Sequence, residues 1–203
     1  MDASSTDAWR QVTVLRGRHV MLEPLQVAHA DALRDAAADG RLWEIRYTSV
    51  PAPDQTAAYV QAALDLQAAG GCLPFVVRDA AGAIVGTTRY YDLAPDVPRL
   101  QVGYTWYARR MQRTGLNTEA KLLLLTHAFE AMGCSSVGLQ TSHLNQASRK
   151  AIARIGATQE GILRQHMRHR DGSLRDTICF SILDGEWPAV KARLHAMLAE
   201  HDA

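Results

Sequence analysis

Several features that mark large classes of proteins are scarce or missing in this sequence of 203 residues. Its cysteines, Cys72, Cys134 and Cys179, are far apart and odd in number, which argues against a disulfide framework and a structural zinc site. No apolar run approaches the ~20 residues of a membrane span. The formal net charge is +1, so no overall field favours nucleic acid or a membrane surface. We therefore expect no such partner and no bound metal.

The beginning of the chain is polar and lacks the basic and apolar regions of a signal peptide. We interpret residues 1–10 as a flexible tail and residues 11–203 as a single domain. The hydrophobic fraction of 47% suits one substantial core. Scattered cysteines and the missing signal peptide together favour a reducing, cytoplasmic location.

Strand-like and helix-like segments alternate along the chain. Runs rich in β-formers predict seven strands, at residues 19–25, 73–78, 83–91, 100–107, 137–141, 158–169 and 174–183. Helical periodicity and cap residues predict helices at residues 28–37, 54–69, 118–132, 145–155 and 186–200, with Asp54 and Asn145 as N-caps and Gly133 as a C-terminal stop. This order predicts an α/β fold: a mixed, mostly antiparallel sheet of about seven strands flanked by helices, with one strand-helix-strand crossover.

The most informative stretch is the turn between the predicted strand at residues 100–107 and the next helix. It is basic, with Arg109, Arg110 and Arg113, and it contains Gly115 directly before the helix. Unpaired N–H groups at a helix start favour phosphate, and glycine lets a ligand approach the backbone closely. The turn is neither a P-loop nor a dinucleotide fingerprint. An ordinary helix start with a polar cap is the alternative.

Gln112-x-x-Gly115-x-Asn117 resembles the acyl-CoA motif of the GNAT acetyltransferases, with Asn117 standing where glycine or alanine is usual. The resemblance implies acetyl-CoA as cosubstrate, no metal, and a GNAT-like sheet with the crossover at the acyl-CoA site. It also implies that the pyrophosphate lies on the turn and that pantetheine lies along the preceding strand. The implied cofactor-binding residues are Trp106, Tyr107, Gln112, Arg113, Thr114, Gly115, Leu116, Asn117, Thr118 and Asn145.

A second motif lies at the next predicted helix. Asn145-Gln-Ala-Ser148, followed by Gly156 and Gly161, is similar to the pattern of the RimJ/RimL-like branch of this family. That branch includes acetyltransferases of ribosomal-protein N-termini. The tyrosine that many GNAT enzymes use as the acid for the leaving thiolate is replaced by Ile152. The match to the branch's serine therefore implies that Ser148 assists the thiolate, with a polar residue of the first helical turn as the alternative role.

No residue matches the general base of the RimJ/RimL-like branch, because Met167 stands at the position of its glutamate. Gln101 likewise replaces a glutamate of related sequences. His166 is the nominated base, since imidazole titrates near neutrality. Glu44, Asp92, His143 and a water relay stay open as alternatives. Aromatic walls suit a cleft, so we expect an acceptor pocket that includes Trp43, Tyr47 and Tyr90.

The resemblance implies an N-acetyltransferase that moves an acetyl, or another acyl, group from acetyl-CoA to a primary amine. The amine belongs to a protein N-terminus or to a small molecule, and the resemblance implies direct attack on the thioester. The alternative is a non-catalytic acyl-CoA-binding sensor or interaction module, because a fold does not guarantee its chemistry. A homodimer stays open, since the sequence does not settle the oligomeric state.

Overall fold

Eight strands form one sheet in this computed structural model, which describes residues 8–202. In chain order, β1 to β8 are Leu15–Arg16, Val20–Pro24, Cys72–Asp79, Ile84–Ala94, Arg99–Tyr107, Ser136–Ser142, Thr158–Arg168 and Leu174–Leu183. Their spatial order is β1-β2-β3-β4-β5-β6-β8-β7. Only the β5–β6 pair is parallel, and all other neighbours in this sheet are antiparallel. The predicted α/β class and mixed sheet are therefore confirmed, and the added strand is the two-residue β1.

Within residues 8–202, five α-helices flank the sheet: α1 Ala30–Ala38, α2 Thr56–Ala68, α3 Gly115–Thr126, α4 Gln146–Arg154 and α5 Trp187–Asp202. A π-helical turn, His127–Ala131, continues α3. Helix α3 provides the predicted crossover, because it connects the parallel strands β5 and β6. None of the described helices combines the length and apolar composition that a bilayer crossing requires.

The helices cover both faces of the sheet, as the alternation of side chains along β4 shows. The hydroxyl of Tyr59 in α2 is hydrogen-bonded to Thr87, whereas the Tyr90 hydroxyl donates to the Leu124 carbonyl in α3. Positions 87 and 90 differ by an odd number, so they project to opposite faces of the strand. Helices α2 and α3 therefore pack on opposite faces, and α5 packs beside α3.

Local signals placed most helix and strand ends within a few residues. Gly133 follows the π-turn with φ of +69°, as a C-terminal stop requires, and Gly172 has φ of +80° in the turn between β7 and β8. The expectation for Asp54 was wrong. It lies within a 3-10 turn, Pro53–Gln55, and helix α2 begins after Gln55 without a side-chain cap.

Trp9 lies within the predicted tail but is packed against the domain. It is buried, and its indole N–H donates to the Met132 carbonyl over 3.1 Å. Burial of a large aromatic ring stabilises the fold by roughly 1.5–3 kcal/mol. Residues 8–10 thus join the domain, and the rest of the predicted tail, residues 1–7, lies outside the described part of the chain.

Candidate functional site

A gap opens between the two parallel strands in the middle of the sheet. Strands β5 and β6 pair only from Arg99 with Ser136 to Val102 with Leu139, although both continue further. Beyond this point β5 stays paired with β4, and β6 stays paired with β8. The facing backbone groups of residues 103–107 are thus free of a β6 partner. They can pair with an extended ligand placed between the strands.

A β-bulge accompanies this gap. Tyr104 has φ of +51°, and the register of β4 with β5 shifts between Thr87 and Arg89. Bulges bend and twist a strand, which helps β5 diverge from β6. The Arg89 guanidinium lies 4.1 Å from the centroid of the Tyr104 ring and supports it from the α2 side.

The basic turn after β5 leads into the start of α3, as predicted. The Thr114 hydroxyl accepts a hydrogen bond from the Leu116 N–H at 3.3 Å and is the N-cap of the helix. The other N–H groups of the first turn have no helical acceptor, and the helix dipole adds positive potential there. A cavity of about 300 Å³ adjoins this helix start and is lined by His19, Asp79, Ala80, Ala81, Met111, Thr114, Gly115 and Leu116.

Apart from Asn145, the predicted cofactor residues thus fall in two places, the end of β5 and the start of α3. Trp106 and Tyr107 are buried, and the Trp106 Nε1 and Tyr107 hydroxyl atoms have no hydrogen-bond partner in residues 8–202. Burial raises the pKa of Tyr107, so its phenol is neutral. Around the turn, Gln112, Arg113 and Thr114 are exposed, Asn117 is half-buried, and Gly115, Leu116 and Thr118 are buried. Open backbone polar groups and orphaned polar atoms suit an extended ligand that ends in phosphate.

Asn145 begins helix α4 on the other side of the gap. Its Oδ1 atom accepts a hydrogen bond from the Ser148 N–H at 3.0 Å, so the predicted capping role is confirmed. The cap therefore uses the backbone of Ser148 and leaves its half-buried hydroxyl available. Ile152, one turn later, is buried and belongs to the core.

The nominated base, His166, lies on the exposed strand β7. Its Nδ1 atom is 3.2 Å from the Thr177 hydroxyl, and the imidazole faces solvent. Two alternatives are held in ion pairs, Glu44 with Arg41 and Asp92 with Arg99. The hydrogen bond from Arg99 lowers the pKa of Asp92, which makes it a weaker base.

The remaining alternative base, His143, is engaged with the main chain of Asp176. Its Nδ1 atom lies 3.2 Å from both the N and the O atoms of that residue. Within residues 8–202, no three His, Cys, Asp or Glu side chains come together as a metal site.

Two of the predicted pocket residues lie on the segment after α1. Trp43 and Tyr47 are half-buried there, and the turn between β7 and β8 is fastened onto this segment. Arg170 donates to the carbonyls of Trp43 and Val50, and Arg46 pairs with Asp171 at 3.2 Å. The segment and the hairpin thus cover one side of the sheet together.

Tyr90 does not belong to a pocket wall, so its prediction was wrong. It is fully buried, donates to the Leu124 carbonyl at 2.7 Å and stacks on His127. Strand alternation explains the difference, because the following residue, Tyr91, faces the opposite side. The Tyr91 hydroxyl donates to the side-chain amide oxygen of Gln101 at 2.9 Å, and its ring meets Tyr104 edge-on at 5.3 Å.

Polar groups that the sequence analysis missed also border the gap. The buried Lys121 of α3 donates to the Thr105 hydroxyl at 3.3 Å, and burial lowers its pKa to about 8. A lysine within the apolar stripe of α3, four positions before Leu125, was the available signal. The buried His169 lies 3.0 Å from the Ser142 hydroxyl, and desolvation lowers its pKa. That contact joins the β7–β8 hairpin to the end of β6, which no local pattern reveals.

Comparison with known proteins agrees with this geometry. A protein-family model described as an acetyltransferase (GNAT) domain matches residues 19–158. A curated relative, the uncharacterized N-acetyltransferase YoaA of Bacillus subtilis, is 30% identical over 100 residues. The match covers 49% of this chain and 55% of YoaA, so it spans about half of the curated relative.

Solved structures extend the likeness to nearly the whole chain. A GCN5-related N-acetyltransferase from Brucella melitensis is 31% identical, with a TM-score of 0.81, over 93% of this chain and 86% of that protein. RimJ of Mycobacterium smegmatis, solved in complex with CoA-disulfide, is 23% identical, with a TM-score of 0.77, over 94% of this chain and 96% of RimJ. At that identity, the second likeness supports the fold.

Proposed function

Because this chain belongs to the GNAT acetyltransferase family, we propose that it transfers an acetyl group from acetyl-CoA to a primary amine. The amine belongs to a protein N-terminus or to a small molecule. The observation that carries the proposal is the β5–β6 gap, which ends at the start of α3 with the N-cap Thr114. An extended thioester arm fits between the strands while its phosphates meet the helix start.

In this proposal the substrate is held by main-chain groups at both ends. N–H groups around Gly115 bind the pyrophosphate, assisted by the basic turn that contains Arg113. The free edge of β5 pairs with the amides of pantetheine and presents an N–H to the thioester carbonyl, where negative charge develops. Trp106 and Tyr107 offer their unpartnered polar atoms near the same edge.

The reaction joins the amine nitrogen to the acetyl carbon and breaks the carbon–sulfur bond. Holding both reactants in one gap lowers the barrier by several kcal/mol. The amine loses one proton, and the departing thiolate gains one. We assign the second transfer to Ser148, whose hydroxyl is left available by the Asn145 cap. His166 is exposed, which argues that the proton of the amine leaves through a water relay.

A CoA-release assay tests this proposal. Wild-type protein is supplied with acetyl-CoA and a panel of free amines and short peptides, and the acetylated product is identified by mass. Turnover with at least one amine, above thioester hydrolysis, is the expected result. The second candidate is a non-catalytic acyl-CoA-binding module, because Gln101 is held by Tyr91 and Asp92 and supplies no base. Tight CoA binding without acetylation of any amine would support the non-catalytic module instead.

A further inference from the structure

Arg175 lies in β8 at the open end of the gap. Strand β6 ends with Ser142 opposite Thr177, so β8 extends three residues further without a β6 partner, and Arg175 is the second of them. On its other side, Arg175 is opposite Met167 of β7. Because Arg175 and Thr177 are two residues apart, their side chains share one face of the sheet.

Tyr91 and Tyr104 share that face on the other side of the gap. In β6, Ser142 is opposite Thr177 of β8, and Gly138 is opposite Gln101 of β5. Gly138 and Ser142 are four residues apart, so these positions all project to the same side of the sheet. Gln101 in turn contacts Tyr91. Burial lowers the pKa of Arg175, and the charges of Tyr91 and Tyr104 oppose that shift, in keeping with a shared face.

The Nε atom of the Arg175 guanidinium is buried and has no hydrogen-bond acceptor in the part of the chain that the structure describes. Across the same residues, it forms no ion pair with a carboxylate. The adjacent Asp176 is directed elsewhere, since its Oδ1 atom accepts a hydrogen bond from the Gln165 N–H at 2.8 Å. A partly desolvated cation without an acceptor is costly, so it favours a ligand that supplies one.

The tyrosine pair gives the opposite wall of the cleft a defined shape. The rings of Tyr91 and Tyr104 meet edge-on, and Tyr104 is 41% exposed. Gly103 leaves room for the Tyr91 ring, because a Cβ added at Gly103 would lie 2.6 Å from that ring. The cleft thus has an aromatic wall on the β4–β5 side and the guanidinium of Arg175 on the β8 side.

We propose that Arg175 binds a carboxylate of the acceptor, so that the preferred acceptors are amines that carry a carboxylate close to the amino group. A guanidinium fork matches a carboxylate with two parallel hydrogen bonds, and a thioester arm in the gap would leave this position to the second substrate. The inference rests on the proposed acetyl transfer. Two sources share the required chemistry: a free amino acid, and a peptide whose first residue is acidic.

Matched acceptors test this assignment. Glycine, glutamate and phenylalanine are compared with their α-carboxamides, and the peptide Glu-Ala-Ala is compared with Gln-Ala-Ala. Wild-type protein should show kcat/KM at least tenfold higher for the carboxylate member of a pair, and the responding pair identifies the source. Arg175→Gln should abolish the preference, Arg175→Lys should retain part of it, and the KM for acetyl-CoA should be unchanged. Arg164→Gln removes an exposed arginine of β7 and is the matched control.

Equal rates for both members of every pair in the wild type would overturn the inference, as would an equal loss for both in Arg175→Gln. Thermal melts identify a variant that fails to fold, and the wild-type comparison then decides alone. If no amine is acetylated, calorimetry of CoA-saturated wild type with the same pairs still decides. Selective binding of carboxylates would support Arg175 and contradict only the proposed transfer, whereas absence of selective binding would contradict both.

Discussion

The ammonium of Lys121 in α3 donates a hydrogen bond to the hydroxyl of Thr105 in β5, with 3.3 Å between the two heavy atoms. Lys121 is 8% exposed and forms an ion pair with no carboxylate in residues 8–202. The Thr105 hydroxyl is also 2.8 Å from that of Thr88. A buried cation therefore lies directly beneath the edge of the gap, with neutral hydroxyls as its neighbours.

This burial predicts how stability depends on pH. The pKa of Lys121 is lowered from 10.5 to about 8, so the folded protein binds fewer protons than the unfolded chain between these values. Stability should therefore rise as the pH increases from 8 to above 10. Below pH 8 the full free-energy cost of burying the Lys121 ammonium applies. Each pKa unit corresponds to about 1.4 kcal/mol, so Lys121→Met should gain about 3 kcal/mol at pH 7 and little above pH 10.

Urea unfolding at pH 7, 8.5 and 10 measures this difference. Lys150→Met, which removes an exposed lysine of α4, is the matched control and should leave the pH profile of the wild type unchanged. A Lys121→Met profile parallel to that of the wild type would show that burial of this ammonium carries no penalty.

Gly115 tests the phosphate site at the start of α3. A Cβ added there would lie 3.4 Å from the His19 ring, an ordinary contact distance, so Gly115→Ala should fold and bind CoA almost as wild type does. Gly115→Asp brings a carboxylate to the same place and should weaken CoA binding at least tenfold by repulsion. An acidic residue also suits a helix N-terminus, so the fold should persist. Calorimetric titration with CoA compares the two variants, and equal affinities would place the phosphates elsewhere.

Ser148 and Asn145 separate catalysis from capping at α4. Because the cap uses the Asn145 side chain and the Ser148 backbone, Ser148→Ala should leave stability nearly unchanged. Its kcat and kcat/KM should fall together by at least tenfold, as expected for a proton donor that acts in the transition state. Asn145→Ala should instead cost about 1 kcal/mol of stability. Thermal melts with steady-state kinetics distinguish the pair, and unchanged kcat in Ser148→Ala would indicate water as the donor.

Glu119 stabilises the fold from the same helix. Its buried carboxylate accepts hydrogen bonds from the N–H groups of Arg18, His19 and Val20, at 2.9, 2.6 and 3.0 Å. Glu119→Ala should therefore lose about 2–4 kcal/mol, since several donors lose a charged acceptor. Gly17→Ala should also destabilise, because a Cβ there would lie 2.3 Å from the Glu119 carboxyl carbon.

Denaturant unfolding measures both effects. Glu200→Ala, which changes an exposed residue of α5, is the control and should shift stability by less than about 0.5 kcal/mol. A loss in Glu119→Ala no larger than in this control would mean that water replaces the carboxylate at no cost.

The sequence by itself determined the features that depend on a few neighbouring residues. Gly133 predicted the C-terminal stop that follows α3 and its π-turn, where it has φ of +69°. The turn around Gly115 predicted the strand-to-helix connection, and Asn145 predicted the cap of α4. In each case the bonded partners lie within about four residues, so local conformational preference decides the outcome.

Tertiary structure alone decided which polar groups meet across the sheet. From the sequence, Tyr90 and Tyr91 are equivalent neighbours, yet one enters the core and the other faces the cleft, because strand register assigns them to opposite faces. Lys121 meets Thr105 only through the packing of α3 on β5. Arg175 shares a face of the sheet with Tyr91, from a strand more than 80 positions later in the chain. Such contacts depend on the pairing order of eight strands, and no short segment of the sequence encodes that order.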